Sequence, residues 1–590
     1  MNLKNKKTKY LFVVCIIFFA VLGAFFYYKT ANKKDIEVTK KYIDSNSVCD
    51  AIYKTKVKYF DYKTFIKKMA PNSDNYYAIK ATHDCANKYN KPVKVTKGTY
   101  HIYKKSDKIK VTETIKVMTD TDLDGSTIYI HDEEGIINTN KMKYNIYEIA
   151  PNNNENYKTI SINDIIDDLS NIKNNPIIEK LKGNNSRFVR IENPKKRVFI
   201  RTGVNAKKEN ELQGDAAVDV FRVNKDGKVL DPLFWTYSKK EDLSQTTVKI
   251  YPMSKKITFK NAKFYNIVDK TNYYPNSNDD VYNHYEYAKR GLLVKRSNTT
   301  VDNIYHGYVD SNYNIINEST YGYNGFFNIG NVGNIRLTDL KVQALKVNAA
   351  HQSSYDLNFS AVANMNIYKV KMNDFEDNDN YYNRPNQLNG NYWGVTGSNT
   401  SKNIRYIDCA LNRIDTHRGV YNLTVKDSVL GRYGINQDGF GNMVVDNVTV
   451  RYTNQFIRLR DDYGSTWNGT IKVTNSKIIP GNNNPVYLVS ARIVYDSKDS
   501  SGKSYVHNYG YDLRIPNVIV NNFEIASNTN KFYVFNIKDS KANGNLKAIK
   551  NNYIKSNTFN FYYPSDKNIT IQGVKNKSGL ITPNKWLFVK

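Results

Sequence analysis

The stretch "NLTVKDSVLGRYGINQDGFGNMVVDNVTV", residues 422–450, decides the fold, because the same strand pattern occurs in it twice. The segments "NLTVKDSVLGR" from 422 and "NMVVDNVTV" from 442 both begin with Asn and alternate apolar with polar residues. Alternation with a period of two is typical of a β-strand that buries one face. A strand pattern that returns after 20 residues predicts strands that stack on one another, coil upon coil.

The repeat extends well beyond this stretch. Segments with the same pattern start at residues 256, 334, 366, 403, 422, 442 and 470, and the last five starts are 37, 19, 20 and 28 residues apart. A coil of about twenty residues with occasional long loops is the signature of a parallel β-helix, whose coils bury their apolar faces only by stacking. A β-sandwich would require two-residue hairpin turns between adjacent strands, whereas asymmetric loops join these segments. The repeat therefore predicts a parallel β-helix.

The segment before the repeats predicts a cap on the solenoid. In "DNYYAIKATHDCANKYNKPVKVTKGTYHIYK", residues 74–104, apolar residues recur at helical spacing until Pro92 prevents the helix from continuing. This helix, followed by "VKVTKGTYHI", resembles the N-terminal cap of right-handed parallel β-helices of the pectate-lyase-like superfamily, with Thr96 where many members have Pro. The resemblance implies a mainly β fold, a right-handed parallel β-helix solenoid from about 74 to 580, with a cap helix near 75 to 90.

The first thirty residues predict a membrane anchor. Four lysines precede the uncharged run "YLFVVCIIFFAVLGAFFYY", residues 10–28, which is long enough to cross a bilayer as a single transmembrane helix. The basic flank predicts a cytoplasmic tail at 1–9 and an extracellular remainder. The predicted localisation is the cell membrane, with secretion after signal cleavage as the alternative.

The pattern also predicts how the remaining chain is divided. We expect, in chain order, a lead-in at 30–72, the N-terminal cap and first coils at 73–139, an elaborated mostly β insert at 140–250, regular coils carrying the active groove at 251–480, and late coils with a C-terminal cap at 481–590.

Net charge limits which partners are expected, and cysteine content limits which disulfides are expected. Lysine and arginine number 86 against 56 acidic residues, a net charge of +30. Such a balance favours an acidic polysaccharide or another anionic envelope polymer as partner, unless it only reflects a lysine-rich proteome. No zinc-finger or helix-turn-helix pattern is visible, so no nucleic acid is expected. Four cysteines form no disulfide framework; Cys49 and Cys85 could pair, and Cys409 has the setting of a buried small hydrophobe.

The stretch from 413 to 467 contains the candidate site. Aligning the closing residues of three coils places Thr416, Ile435 and Ile457 on one face and a polar set on the other. The polar set consists of Asp415, His417, Asn436, Arg458 and Arg460. If the aliphatic face is the core, these polar side chains form an outward column.

This column suits a lyase or C5-epimerase acting on an acidic (uronate) polysaccharide. Such an enzyme neutralises the sugar carboxylate, and Arg458 or Arg460 could pair with it bidentately. It also removes a proton next to that carboxylate, for which a histidine near its neutral pKa is suited. We therefore predict His417 as base or acid, with Asp415 fixing its tautomer. The sequence "DTH" is similar to the Asp-Pro-His core of the alginate C5-epimerase motif, and Tyr433 would supply the tyrosine of that motif.

Further residues are predicted to bind substrate or a cation. The predicted substrate-binding residues are Arg413, Arg418, Asn436, Tyr463 and Trp467. Neighbouring Asp461 and Asp462 could hold calcium through their oxygens, and no other cofactor is predicted.

Three alternatives stay open. A glycoside hydrolase of the polygalacturonase type would need two carboxylates at a defined separation, taken from Asp415, Asp438 and Asp461 or Asp462. A non-enzymatic surface or adhesion module would bind anionic glycans without needing His417. In a purely structural role, the His-Asp pair would satisfy turn amides.

Overall fold

The structure, a computed structural model, describes part of the chain. The described residues are 45–69, 74–103, 114–132, 144–152, 157–198, 215–268, 289–316, 318–319, 325–343, 346–347, 352–353, 355–372, 394–461, 464–493, 496–498, 504–506, 510–539, 553–555 and 560–589.

Three helices and five strands form the N-terminal end. They are α1 (Ser45–Lys54), α2 (Tyr62–Met69), α3 (Tyr76–Tyr89), β1 (Val93–Lys94), β2 (Thr99–Ile102), β3 (Ile115–Val117), β4 (Thr121–His131) and β5 (Tyr147–Ile149). Helix α3 ends at Asn90, which adopts a left-handed backbone and donates its N–H to the Ala86 carbonyl. A disulfide between Cys49 and Cys85 joins α1 to α3. The predicted cap helix is therefore confirmed.

The next segment forms a separate antiparallel sheet. It contains β6 (Lys158–Ile160), the 3-10 helix Ile162–Asp164, α4 (Ile166–Ser170), the 3-10 helix Glu179–Leu181, β7 (Arg187–Val198), β8 (Asp215–Val223) and β9 (Thr247–Pro252). The strand order is β6-β9-β7-β8. This sheet, with the loops that join its strands, is called the insert below.

The regular coils follow. Their strands are β10 (Ile257–Ile267), β11 (Leu292–Val294), β12 (Thr299–Val309), β13 (Glu318–Ser319), β14 (Phe327–Thr338), β15 (Lys341–Val342), β16 (Lys346–Val347), β17 (Gln352–Ser353), β18 (Tyr355–Tyr368), β19 (Lys371–Met372), β20 (Gly394–Asn399), β21 (Ser401–Ile407), β22 (Ala410–Asp415), β23 (Val420–Gln437), β24 (Gly439–Arg451), β25 (Gln455–Leu459) and β26 (Trp467–Ile479).

The C-terminal part adds the last coils and two short side sheets. Its strands are β27 (Val486–Ile493), β28 (Asp496–Lys498), β29 (Ser504–Val506), β30 (Leu513–Arg514), β31 (Asn517–Ile525), β32 (Phe532–Asp539), β33 (Tyr553–Lys555), β34 (Asn560–Tyr562), β35 (Ile569–Asn576), β36 (Gly579–Leu580) and β37 (Asn584–Val589), with the 3-10 helix Asp566–Asn568 before β35.

Successive coils pair in parallel, and this confirms the predicted β-helix. One core column runs through six coils in register, all of its side chains buried: Ile404, Leu423, Met443, Ile471, Val518 and Ile569. Each coil contributes one apolar side chain to the column, and the neighbouring coils remove that side chain from water. Stacking therefore supplies the burial that no single coil could achieve.

Asparagines at the coil corners explain why several of the repeated segments begin with Asn. Asn334, Asn403 and Asn422 have φ values of 58°, 53° and 61°, a left-handed conformation that Asn tolerates better than most residues. The Asn422 side-chain amide donates to the Asn403 side-chain carbonyl across 3.0 Å. Similar bonds join Asn334 to Asn298 and Asn364 to Asn334. We call these stacked corner residues the asparagine ladder.

A buried ion pair ties the insert to the coils. Lys402 of β21 donates to the Asp219 carboxylate of β8, and both side chains are fully buried. Asp219 also accepts the backbone N–H of Phe234 across 2.9 Å. A second pair, Arg222 with Asp231, lies 2.8 Å apart, and Asn403 donates to Asp231 across 2.6 Å. The insert is thus held against coils close to the candidate site.

The transmembrane helix predicted at residues 10–28 needs correction. Crossing a bilayer takes about 20 apolar residues in one helix. In the part of the chain that the structure describes, no helix is long and apolar enough to do so, and the longest, α3, has 14 residues. Residues 10–28 themselves lie outside the described residues. The described residues therefore form a mainly β parallel β-helix with a helical cap.

Candidate functional site

The candidate residues lie where three coils meet. Asp415 ends β22 and pairs in register with Asn436 of β23, which pairs with Arg458 of β25. Asp415, Asn436 and Arg458 therefore share one strand face, but Asp415 and Asn436 are buried, so these two residues do not form the outward column that was predicted. The predicted apolar column is wrong by two residues, because Ile414, and not Thr416, lies in register with Ile435.

A shift in strand register explains this error. Leu411 pairs with Leu430, an offset of 19 residues, but Arg413 pairs with Gly434, an offset of 21. The strand β23 therefore contains two extra residues at this corner. Because side chains alternate with a period of two, a slip of two residues keeps every side chain on its predicted face.

Three cationic or basic side chains surround the Asp415 carboxylate. The carboxylate is fully buried, and Nη1 of Arg460 lies 2.7 and 2.8 Å from its two oxygens. Nη2 of Arg413 lies 2.8 Å from Oδ2, and Nε2 of His417 lies 3.1 Å from the same oxygen. We call Arg413, Asp415, His417 and Arg460 the Asp415 cluster.

The charges of the cluster shift its two titratable groups. Burial alone would raise the pKa of Asp415, but the Arg413 and Arg460 guanidiniums outweigh it and hold that pKa well below its usual range. Burial is also the largest influence on His417 and lowers its pKa; the hydrogen bond to Asp415 opposes this, and the two arginines add to it. At neutral pH, Asp415 is therefore ionised and His417 is neutral.

His417 is the partly exposed member of the Asp415 cluster. It lies in the bend between β22 and β23, and 23 % of its side chain is exposed. When Nε2–H donates to Asp415, the lone pair of the neutral ring is on Nδ1. The ring is therefore oriented by a buried partner while part of it reaches solvent.

Tyr433 extends the cluster. The guanidinium carbon of Arg413 lies 5.7 Å from the centre of its ring, and that of Arg432 lies 4.9 Å away. Arg432 also donates to the Tyr433 hydroxyl across 3.3 Å. Asn436 is buried beside Asp415 in register, and its Oδ1 has no hydrogen-bond partner among the described residues.

Other predicted residues lie apart from the cluster. Arg458 is half exposed and pairs with Asp461 across 2.7 Å. Arg418, also half exposed, pairs with Asp215 of the insert across 2.8 Å. Tyr463 and Asp462 lie outside the described residues. The predictions for these four residues stay predictions.

Trp467 needs correction as a predicted sugar-binding residue. Its side chain is fully buried, and its indole N–H donates to the Gly441 carbonyl across 3.0 Å. A buried ring cannot present a face to a glycan, so Trp467 belongs to the core between coils.

Two features were missed in the sequence. The first is Arg432, which no pattern singled out. The second is that Arg413 binds Asp415 directly. The sequence contained a signal for this contact, because Arg413, Asp415 and His417 are spaced two residues apart, a spacing that places side chains of an extended stretch on one face. Among the described residues, no group of three metal-ligating side chains comes together, and the predicted calcium role of Asp461 and Asp462 stays a prediction.

No protein-family model matches this chain. A capsule KL64-specific depolymerase from Klebsiella phage P510 is 36% identical over 117 residues, which cover 17% of this chain and 12% of that protein. The match thus spans a small part of either protein. The predicted single-pass localisation and membrane attachment are corrected together with the predicted span, since the described part of the chain contains no helix that could cross a membrane.

Three solved structures are also similar. The tailspike gp49 of Pseudomonas phage LKA1 has a TM-score of 0.39 and 12% identity, covering 79% of this chain and 71% of that one. The Gp54 tailspike of Acinetobacter baumannii bacteriophage AP22, in complex with A. baumannii capsular saccharide, has a TM-score of 0.40 and 11% identity. The similarity covers 88% of this chain and 75% of that one. The tailspike gp61 of Pseudomonas phage phi297 has a TM-score of 0.33 and 9% identity, and the similarity covers 85% of this chain and 73% of that one.

The fold assignment rests on the strand pairing within this chain. Parallel coils in register run from β1 to β37, and a helix caps their N-terminal end. In fold, the chain is a parallel β-helix protein.

Proposed function

We propose that this protein acts on an acidic capsular polysaccharide at the Asp415 cluster, by a lyase or C5-epimerase reaction. The observation that carries the proposal is the shared carboxylate: Asp415 is fully buried and binds Arg413, Arg460 and His417 at once. This arrangement joins a cationic site to an oriented neutral base.

The charge of the cluster favours a carboxylate-bearing substrate. One carboxylate and two guanidiniums give a net charge of +1 when His417 is neutral. The Arg460 side chain is 11% exposed and that of Arg413 is 6% exposed, so solvent screens this charge only weakly. A uronate carboxylate near the cluster would be stabilised by its positive potential.

The same residues can carry the first chemical step. The neutral His417 ring takes the proton from C5 of the uronate, and the electron pair of the broken C–H bond delocalises into the carboxylate group. Positive charge from the arginines stabilises the negative charge that develops there. In a lyase, these electrons then form a C4=C5 double bond while the C4–O4 bond breaks, and O4 leaves with its electron pair and takes up a proton from solvent. In an epimerase, a second acid returns a proton to the opposite face, and Tyr433 is our candidate for that acid.

A glycosidase is less well supported by the geometry. A glycosidase needs one protonated carboxylic acid to donate to the leaving oxygen. The two arginines keep Asp415 ionised, so it cannot be that donor. Of the other predicted carboxylates, Asp461 is engaged by Arg458, and Asp438 is fully buried and accepts the Gly419 N–H. Asp462 lies outside the described residues.

The similarity to the phage depolymerase supports capsular polysaccharide as the substrate class only in part. The curated relative is described as a capsule-specific depolymerase, but it matches 17% of this chain. Its match motivates testing capsular polysaccharides first. A protein that only binds such a polymer is the second candidate, and it would not depend on His417.

The test uses the full chain and a panel of capsular polysaccharides with and without uronic acids. Ultraviolet absorbance of unsaturated products, new reducing ends and uronate configuration by NMR are followed separately. We expect turnover only on uronate polymers, with His417→Ala lowering the rate about 10²- to 10⁴-fold. The exposed Lys472→Ala is the matched control and should leave the rate unchanged. Turnover that survives His417→Ala, or retention without turnover, would reject the enzymatic proposal.

A further inference from the structure

A column of aromatic side chains lies on the first coils, away from the Asp415 cluster. His101, Tyr129 and Tyr265 pair in register on three successive coils. On the next coil the backbone of Tyr305 pairs with Lys263, two residues before Tyr265, and the Tyr305 ring packs against the Tyr265 ring. Their ring centres are 5.4, 5.5 and 5.4 Å apart along the column. We call these four residues the aromatic column.

The aromatic column faces outward. The preceding residues Tyr100, Ile128, Phe264 and Ile304 are buried in the core, so the four rings lie on the opposite, outer face. From Tyr305 onward, the in-register position on the following coils is occupied by Lys341, Lys371, Ala410, Val429, Thr449 and Lys477. On this line Tyr305 is the last aromatic residue, and two lysines follow it.

A loop places a fifth ring against the column. The centre of the Tyr313 ring lies 4.7 Å from that of Tyr129 and 6.4 Å from that of His101, with interplanar angles of 65° and 71°. The ring stands steeply against the column, and Tyr313 is 43% exposed.

The backbone of this loop is strained and firmly held. Tyr313 has a φ of 64°, a left-handed conformation that costs about 1 kcal/mol or more for such a residue. The Asp310 carboxylate accepts the N–H groups of Asn312 and Asn314, each across 2.9 Å. The loop thus keeps an aromatic ring partly exposed at a fixed angle, an arrangement that burial of Tyr313 does not explain.

We infer that the aromatic column and Tyr313 form a second glycan-binding site, remote from the Asp415 cluster. The inference rests on the proposed function and names a subsite for the same acidic polymer. The partly exposed tyrosine rings provide apolar contact for the C–H faces of sugars and hydroxyls for hydrogen bonds. Lys341, next in the line, can pair with a sugar carboxylate.

The distance between the two sites determines which substrates use both. Three coil steps separate Tyr305 from Ala410 in β22, the strand that carries Asp415. At about 4.8 Å per coil, this is roughly 14 Å along the axis. Only a polymer of several sugars can contact both sites, and binding at one site raises its effective concentration at the other.

The test compares long polymers with short fragments of the same polysaccharide. Tyr313→Asn keeps a residue that tolerates the left-handed backbone and removes the ring. Tyr157→Ala is the matched control, since Tyr157 is 49% exposed and packs on Tyr251 in the insert. We expect Tyr313→Asn and Tyr305→Ala to raise KM for the long polymer about 3- to 10-fold, with kcat and the kinetics of short fragments unchanged.

The outcomes separate this inference from the proposed function. If His417-dependent turnover is found but Tyr313→Asn and Tyr305→Ala leave the KM for long polymer unchanged, the remote site is rejected and the proposed function stands. A loss of melting temperature without a change in KM would likewise overturn it, because the rings would then only stabilise the coils. If no turnover is found, the test is retention of the polymer by the immobilised full chain. Weaker retention of the polymer by Tyr313→Asn than by the unchanged protein supports the remote site, and equal retention rejects it.

Discussion

Arg460 reaches Asp415 across two coil steps and 45 residues of sequence, and its Nη1 lies within 2.8 Å of both carboxylate oxygens. Arg413 approaches the same carboxylate from its own strand. One buried charge therefore joins the coils of β22 and β25. The stability of this corner and the chemistry of the Asp415 cluster depend on the same contacts.

Removing Arg460 should destabilise the protein. Arg460→Leu takes one of two guanidiniums from a fully buried carboxylate, and breaking such a pair costs about 3 kcal/mol. Urea unfolding of the full chain measures the change, with Lys472→Ala as a control expected to stay within about 0.5 kcal/mol. A loss smaller than about 1 kcal/mol would show that Arg413 alone compensates Asp415.

The activity should depend on pH through His417. Because burial lowers its pKa below the ordinary value of 6.5, we expect kcat/KM to rise with pH through an apparent pKa below 6.5 and then to stay level. Asp415→Asn removes the group that raises the His417 pKa, so this limb should move to lower pH as the rate falls. A pH–rate profile checks both, and an acidic limb above pH 7 would contradict the assigned base.

Two buried histidines should make the protein sensitive to acid. Burial lowers the pKa of His83 to about 4 and that of His306 to about 3. Both stay neutral when folded but bind protons when unfolded, so their stabilising contribution is complete above pH 6.5 and is lost as pH falls towards these values. For His83 the loss amounts to roughly 3 kcal/mol.

His306→Gln provides the check on acid sensitivity. Glutamine can keep a hydrogen bond to Asn266, which His306 contacts across 3.0 Å, and it does not titrate. The free energy of unfolding of the variant, measured from pH 7 to pH 4, should fall less steeply than that of the unchanged protein. Parallel pH curves for the two proteins would argue against the buried neutral ring.

Breaking the buried ion pair of the insert should loosen it. Lys402→Met leaves the Asp219 carboxylate buried without its cation, which costs about 3 to 5 kcal/mol. Hydrogen exchange in β7 and β8 should increase more than exchange in β31, which lies far from the pair. The double variant Lys402→Met with Asp219→Leu should recover much of the lost protection, because no unpaired charge remains. Equal exchange in all three strands would show that the pair does not hold the insert.

Reduction of the disulfide should destabilise the cap. The bond between Cys49 and Cys85 closes a loop with a sequence separation of 36 residues, for which chain entropy predicts about 4 kcal/mol. The variant with both cysteines replaced by Ala should melt at a lower temperature than the oxidised protein. A reducing agent should lower the melting temperature of the parent and leave the variant unaffected.

Much of the fold follows from local pattern. Alternating strands that begin with asparagine at intervals of 19 and 20 residues allow only stacked coils, and Pro92 marks the end of the cap helix. The faces of Asp415 and Asn436 were also predictable, because the period of two survives the slip of two residues at the β23 corner. These features depend on neighbours in sequence or on a regular repeat.

The remaining features depend on contacts between coils. Trp467 is buried because Gly439 pairs with it in register, and a Cβ at Gly439 would lie 3.0 Å from the indole. Sequence alone does not show that a glycine leaves room for an indole 28 residues later. Likewise, the extra residues in the β23 corner are invisible until the strands are paired, and so is the contact of Arg460 with Asp415.

The asparagine ladder has a consequence for how such a chain can change in length. Each ladder residue repeats the same left-handed corner and the same side-chain bond, as between Asn403 and Asn422. A duplication or loss of one complete interval would therefore present the next coil with an equivalent asparagine and an equivalent apolar column. Growth by whole intervals leaves the other coils in register, whereas an insertion of a few residues inside a strand would break it. Evolution of the solenoid should thus proceed by coil duplication, with shorter insertions confined to the loops.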